Sequence, residues 1–307
     1  MATQSIREVP KNFAHTIRIV FAEAGAAWLQ QLPSLIDECE QRWHLRVQPP
    51  FKLSYNYVAP AVRADESLVV LKLGVPNDEL TSEINALRLY AGRGICKLIE
   101  ADEARGILLL EQLHPGTMLS TLVPHQDERA TEIAAEVMRQ LWQPAPAQHH
   151  FRTLESWTNG ILEIREKFNG GTGPFPENLV AQAESLRAQL LSSTSNSNSN
   201  QFLLHGDLHH FNILQTEQGW RAIDPKGIIG EPAYEIASFL YNPNEQLITQ
   251  PMLARRIAQF SELLTLDRER LLGWGVVQAV LSAWWSFDSG EDGWQPMLGF
   301  AEMVSDT

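Results

Sequence analysis

The chain has 307 residues, 44% of them apolar, which excludes a disordered protein and gives length enough for one large or two ordinary domains with substantial cores. Lys and Arg number 24 against 37 Asp and Glu, a net charge of −13. That balance argues against nucleic acid or an anionic membrane as the main partner, and it suits either a cationic ligand or plain solubility.

The first 48 residues carry a helical pattern. Leu29, Leu32, Leu35, Ile36 and Trp43 recur at helical spacing, and Pro33 reads as the start of a new helix. Cys39 in this stretch and Cys96 further on are the only cysteines, too few for a disulfide framework and without metal-ligand spacing. The period then changes. "FKLSYNYV", residues 51–58, alternates as a strand does, and "SLVVLKLG" is a second strand. "ELTSEINALRLY" is an amphipathic helix with Leu80, Ile84 and Leu87 on its apolar face. "ICKLIEAD" and "GILLLEQL" complete an antiparallel run, and "HPG" at 114–116 breaks it. The remainder reads as mostly helical, over roughly 127–143, 153–168, 176–191, 232–241, 251–264, 266–286 and 293–303. "SSTSNSNSN", 192–200, reads as a polar surface loop, followed by strand-like "QFLLH", "NILQ" and "WRAID". No apolar run reaches membrane-spanning length and the start carries no leader-like core, so the chain reads as cytoplasmic.

Chemistry concentrates in "HGDLHHFNIL", residues 205–214, which admits two readings. His205, Asp207, His209 and His210 resemble a metallohydrolase ligand cluster, although a chain with nine histidines clusters some of them by chance. Alternatively, Asp207 and Asn212 bracket a short loop between two strands, and Asp224 arrives at the end of the next strand. Phosphoryl transfer needs a carboxylate near the attacking hydroxyl, oxygen ligands for Mg²⁺ and a cation on the nucleotide phosphates; protein kinases meet this with Asp-x₄-Asn and a later strand-terminal Asp. Asp224 could equally be a turn residue before Pro225. Lys72 supplies the cation. It lies inside the apolar strand "VVLKLG", while Glu83 lies beside the apolar stripe of the following helix, an arrangement that fixes a strand lysine on phosphates. Separately, Lys72 reads as a solvent-facing strand residue and Glu83 as a solvated flank; together, in this order, the phosphoryl-transfer reading prevails.

At this point the chain resembles a family. "AGAAWLQQLP", "VLKLG", "LYAGRGICKLIEAD", "ILLLEQLHPG", "LLHGDLHHFNIL" and "AIDPKGIIGEPAYEIASFLYNP" are similar to the aminoglycoside phosphotransferases of protein-kinase-like fold, within them to the streptomycin 6-kinase and hydroxyurea-resistance kinase group. The resemblance implies a two-lobed α+β fold: a helical segment 1–48 packed on a small antiparallel-sheet N-lobe, 49–113, with one key helix, and a larger, mainly helical C-lobe, 114–307. It implies ATP or GTP with Mg²⁺, and phosphorylation of a hydroxyl on a small cationic molecule, foremost a streptomycin-like aminoglycoside or aminocyclitol. Kinases of other small metabolites, and a turnover-deficient nucleotide-binding module acting through a partner, are the alternatives. The sequence carries no signal of oligomeric state.

Carried over by position, Asp207 is the base or hydroxyl-orienting carboxylate, Asn212 and Asp224 hold Mg²⁺, Lys72 contacts the α/β-phosphates and Glu83 orients it. Glu111, Gln112 and Leu113 form the linker whose backbone bonds adenine. His205 becomes structural, Glu235 braces the catalytic loop, and His209 and His210 become loop or acceptor-wall residues. Two departures stand out. The phosphate-loop region, "SYNYVAPAV", has no glycine, so contacts would fall to the backbone of Ser54 to Tyr57. Phe211 stands where glycine is expected. For the acceptor, "SAWWSFDSGEDGW" mixes Trp284, Trp285 and Trp294 with Asp288, Glu291 and Asp292, a combination suited to a cationic sugar or guanidino group or, equally, to a helix end packing its tryptophans. Lys226 would touch the transferred phosphoryl group or ion-pair at the surface.

Overall fold

Helix α1 runs from Lys11 to Trp43 and buries Trp28, Leu29, Leu32, Leu35, Ile36 and Cys39. It ends short of the helical pattern read over 1–48, and Leu45–Val47 in that stretch form a strand. Pro33 lies inside it and starts no new helix; the break falls at Ala22, whose φ of 46° leaves the helical region. The apolar turns on both sides of Pro33 pack into one core, which offsets the single backbone donor that proline removes. The computed structural model describes residues 9–194, 201–290 and 292–307. These group into two compact units, one ending at His114 and one beginning at Pro115.

The first unit holds a five-stranded sheet in the order β1-β2-β3-β5-β4, antiparallel throughout. Its strands are β1 (Leu45–Val47), β2 (Tyr57–Arg63), β3 (Leu68–Leu73), β4 (Leu98–Asp102) and β5 (Ile107–Glu111). The strand expected at 51–58 is displaced. Phe51 and Tyr55, half of the alternating set, are 49% and 44% exposed, and pairing starts at Tyr57. Pro60 sits within β2 and its carbonyl accepts from Gln48 N. The segment between β1 and β2 is therefore 48–56, again without glycine. Helix α2 (Asp78–Tyr90) starts where Asn77 caps Leu80 N at 2.9 Å and buries Leu80, Glu83, Ile84 and Leu87.

The second unit is mainly helical: α3 (Asp127–Leu141), α4 (Leu154–Trp157), α5 (Gly160–Lys167), α6 (Glu177–Thr194), α7 (Pro232–Glu235), α8 (Ala237–Tyr241), α9 (Gln250–Leu264), α10 (Arg268–Asp288) and α11 (Gln295–Ser305). The polar tract begins inside α6, which continues to Thr194; residues 195–200 lie outside the described residues. Helix α10 is apolar around most of its circumference, and that is why it is central, burying Leu271, Trp274, Val277 and Leu281. Two small sheets hold the site. One orders β7 (Gln143–Pro144), β9 (Phe202–Leu204), β12 (Ile228–Gly230) and β8 (Arg152–Thr153); the other orders β11 (Gly219–Ala222), β10 (Ile213–Thr216) and β6 (Pro115–Met118). Strands β6, β7, β8 and β12 were not apparent from the sequence, because two to four residues are too few to show a period. Among the described residues no helix is long and apolar enough to cross a membrane.

Candidate active site

Residues 205–212 leave β9 in one small sheet and enter β10 in the other. A loop that crosses between sheets needs its polar backbone satisfied from elsewhere. Glu235, on α7, does this: its two carboxylate oxygens accept from His205 N at 2.7 Å and Gly206 N at 2.9 Å. Burial pushes the Glu235 carboxyl up to about 7, against the pull of those two amides. Gly206 has φ of 86°, and a Cβ there would stand 2.5 Å from Ile228 Cδ1, so only glycine fits this turn.

His205 is fully buried and structural. Its Nε2 bonds the carbonyl of Ile223 at 2.8 Å, its Nδ1 accepts from Asp207 N at 3.3 Å, and its carbonyl takes the Lys226 amide at 2.7 Å. Burial holds its pKa down at about 4, so the ring is neutral at pH 7. Ile223 is gripped from the other side as well, its N–H donating to Asn212 O at 2.9 Å. Asp224 follows immediately, two residues beyond the end of β11, with φ of 63°. Asn212 is 9% exposed, and its Nδ2 donates to the Asp207 carbonyl at 3.0 Å, which spends the donor end of the amide on the loop and leaves Oδ1 as its ligand end. Asp207, Asn212 and Asp224 thus hang from one hydrogen-bonded unit. Their hard oxygen donors fit Mg²⁺, with Asn212 and Asp224 as the residues that would hold it.

The histidines do not converge as a metal cluster. His210 is fully buried, stacked on Phe239 at 3.8 Å with Arg256 Nη2 3.5 Å from its Nε2. That departs from its expected place on the acceptor wall: the ring is fully buried and stacked on Phe239. His209 turns the other way, toward Asp207. Among the described residues no group of three or more His, Cys, Asp or Glu is placed to hold a metal ion.

In the first unit, Lys72 on β3 and Glu83 on α2 are both 5% exposed, and Lys72 Nζ lies 2.7 Å from each Glu83 carboxylate oxygen. A symmetric, buried contact of this kind fixes the ammonium position far better than an exposed pair. Glu111 ends β5, its N–H and Oε2 both tied to Lys97, and Leu113 is 8% exposed just before the unit ends. Lys226 is partly buried behind Gly206.

The aromatic-acidic stretch divides between core and surface. Trp284 is 2% exposed, donates to Glu163 at 3.3 Å and packs on Phe175 and Phe287; it belongs to the core. Asp288 is ion-paired with Lys167, Asp292 is exposed, and Glu291 lies outside the described residues. What sequence reasoning passed over is the support behind the loop. Arg256, fully buried on α9, donates to the carbonyls of Phe239, Leu240 and Asn242 and grips Asp127 at 2.6 Å. The one available signal was an arginine inside the apolar face of "LARRIAQF".

A kinase-like fold with a lysine–glutamate pair on β3 and α2 and an Asp-x₄-Asn loop defines a phosphotransferase. Residues 42–290 match the family model described as aminoglycoside/hydroxyurea antibiotic resistance kinase, and the chain belongs to that family. It is 28% identical to a streptomycin 6-kinase of Streptomyces glaucescens, over 96% of each chain, and 31% identical to a hydroxyurea phosphotransferase of Kitasatospora aureofaciens, over 94% of this chain and 82% of that one. Solved structures of the same fold include choline kinase LicA from Streptococcus pneumoniae (TM-score 0.66, 16% identity, 90% of this chain and 100% of that one). Aminoglycoside phosphotransferase APH(4)-Ia, in complex with ADP and hygromycin B, is another (TM-score 0.62, 14% identity, 89% and 98%).

Proposed function

We propose that this phosphotransferase is a Mg²⁺-dependent enzyme that moves the γ-phosphoryl group of ATP to a hydroxyl of a small cationic molecule, a streptomycin-like aminocyclitol. The observation that carries the reading is the single hydrogen-bonded unit from which Asp207, Asn212 and Asp224 project, braced by Glu235. Lys72, fixed by Glu83, contacts the α/β-phosphates; the backbone of Glu111 to Leu113 receives adenine. Asp207 orients the acceptor hydroxyl and takes its proton as the oxygen attacks phosphorus. Asn212 and Asp224 would hold Mg²⁺, which would supply charge neutralisation for the transferred phosphoryl group. The acceptor class rests on the names of the relatives and on the −13 charge, which favours a cation. The test is nucleoside-diphosphate release by purified protein, with and without Mg²⁺, from ATP or GTP, across streptomycin, other aminocyclitols, hydroxyurea and choline. Turnover confined to ATP, Mg²⁺ and aminocyclitols is the expected result. A zinc-dependent hydrolysis with no acceptor would overturn it.

A further inference from the structure

His209 is the one histidine of the loop that the roles assigned so far leave unused. Its Nδ1 accepts from Phe211 N at 3.2 Å, which places the ring hydrogen on Nε2. That Nε2 lies 3.7 Å from Asp207 Oδ2 and 3.4 Å from Asn212 Nδ2. Since the amide nitrogen carries only hydrogens, Asn212 Nδ2 cannot accept from the Nε2–H, which faces the Asp207 carboxylate at a distance beyond a formed hydrogen bond. The ring is held from behind as well, edge-on to Phe211 with centroids 5.8 Å apart. The 41% exposed Phe211 thus gives His209 its backbone N–H and a ring contact.

We propose that His209 is a positioning residue for Asp207, directing its Nε2–H at Oδ2 so that the other carboxylate oxygen is held toward the acceptor hydroxyl. The inference rests on the reading of Asp207 as the base. A separation of 3.7 Å is longer than a formed hydrogen bond, and contacts of this kind shorten when the reacting complex assembles. No change of charge on His209 is involved; the role is geometric. A carboxylate free to rotate presents the wrong oxygen or lone pair for part of the time, and misplacement of this order costs up to about 100-fold in turnover.

The experiment compares His209→Ala, His209→Phe and His209→Gln with wild type and Asp207→Asn, using ATP, Mg²⁺ and streptomycin. Thermal melting confirms that each variant folds. The Phe variant keeps a ring for Phe211 to pack on but has no donor, and Gln restores a donor at comparable reach. The expected result is a kcat lower by about 10- to 100-fold in Ala and Phe, recovered to within a few-fold in Gln, with KM for ATP unchanged in all three. Wild-type kcat in the Phe variant would reduce His209 to packing, and a raised KM for ATP at unchanged kcat would make it a nucleotide contact; either overturns the proposal. Asp207→Asn separates the two levels. If it turns over normally, the base assignment fails; if it is inactive while the His209 variants are normal, only the positioning role fails. Independently of turnover, long-range ¹H–¹⁵N NMR of the free enzyme should show His209 as the Nε2–H tautomer, with its Nε2–H resonance moving in Asp207→Asn. An Nδ1–H tautomer would contradict the geometry.

Discussion

Two carboxylates, Asp207 and Glu83, do opposite kinds of work, and single substitutions separate them. Asp207 is a third exposed and is the proposed base, so Asp207→Asn should lower kcat by about 10²- to 10⁴-fold, with ATP affinity measured by calorimetry unchanged. Glu83 is buried against the Lys72 ammonium at 2.7 Å. Lys72→Met takes away that cation from a buried carboxylate and should cost about 3–5 kcal/mol in denaturant unfolding, whereas Lys72→Met combined with Glu83→Leu should recover most of the stability and none of the activity. If both variants were equally unstable, the pair would not be acting as a buried ion pair. The grouping of the candidate residues was legible in the sequence, because Asp207 and Asn212 share one loop and Lys72 and Glu83 follow a strand-to-helix order, and the structure joins each pair by hydrogen bonds. The facing of His209 and His210 was not. Which of two adjacent histidines turns inward is decided by Phe239 and Arg256, distant in the chain.

At the scale of elements, the 205–212 loop depends on two short helices and one long one. Helix α7 supplies Glu235, and α9 supplies Arg256, which ties the end of α8 to Asp127 at the start of α3. Asp127→Ala leaves a fully buried guanidinium without its carboxylate and should destabilise the second unit by about 3–5 kcal/mol, read from the shift of a urea midpoint. Glu235 and His205 give the loop a pH signature. Glu235 has its pKa raised from 4.5 to about 7, so the folded protein holds this proton more tightly than the unfolded chain, and the group stabilises the fold as pH falls through that window. His205 has its pKa lowered from 6.5 to about 4, so the unfolded chain protonates first, and the fold loses stability as pH falls between those values. Glu235→Gln removes the first contribution and keeps the second. Its Tm should therefore fall more steeply than that of wild type between pH 6.5 and 4.5, and equal slopes would show that Glu235 does not titrate there. Long helices and most of the first unit's sheet were legible from periodicity, but its edge strand Leu45–Val47 was read as helical because three residues are too few to show a period. The displaced strand was not, because Phe51, Leu53 and Tyr55 alternate like a strand while Phe51 and Tyr55 stay exposed in the segment before β2. Trp284 was hard to place for a related reason: aromatic and acidic residues in one stretch resemble a ligand wall, but α10 is central, and burial of Trp284 follows from that.

For the whole molecule, a charge of −13 on an enzyme whose relatives are named for streptomycin has a consequence for encounter rates. A cationic acceptor should show kcat/KM falling as ionic strength rises, because screening shortens the range of attraction to about 8 Å at 0.15 M salt, while a neutral acceptor should be indifferent. The measurement that tests the central claim most directly is mass spectrometry of streptomycin after incubation with the enzyme, ATP and Mg²⁺, beside a reaction with Asp207→Asn. The account predicts that wild type adds one phosphoryl group to the aminocyclitol with matching ADP, and that the variant adds none in the same interval. ADP released with every acceptor unmodified, or an Asp207→Asn enzyme that phosphorylates as fast as wild type, would contradict it.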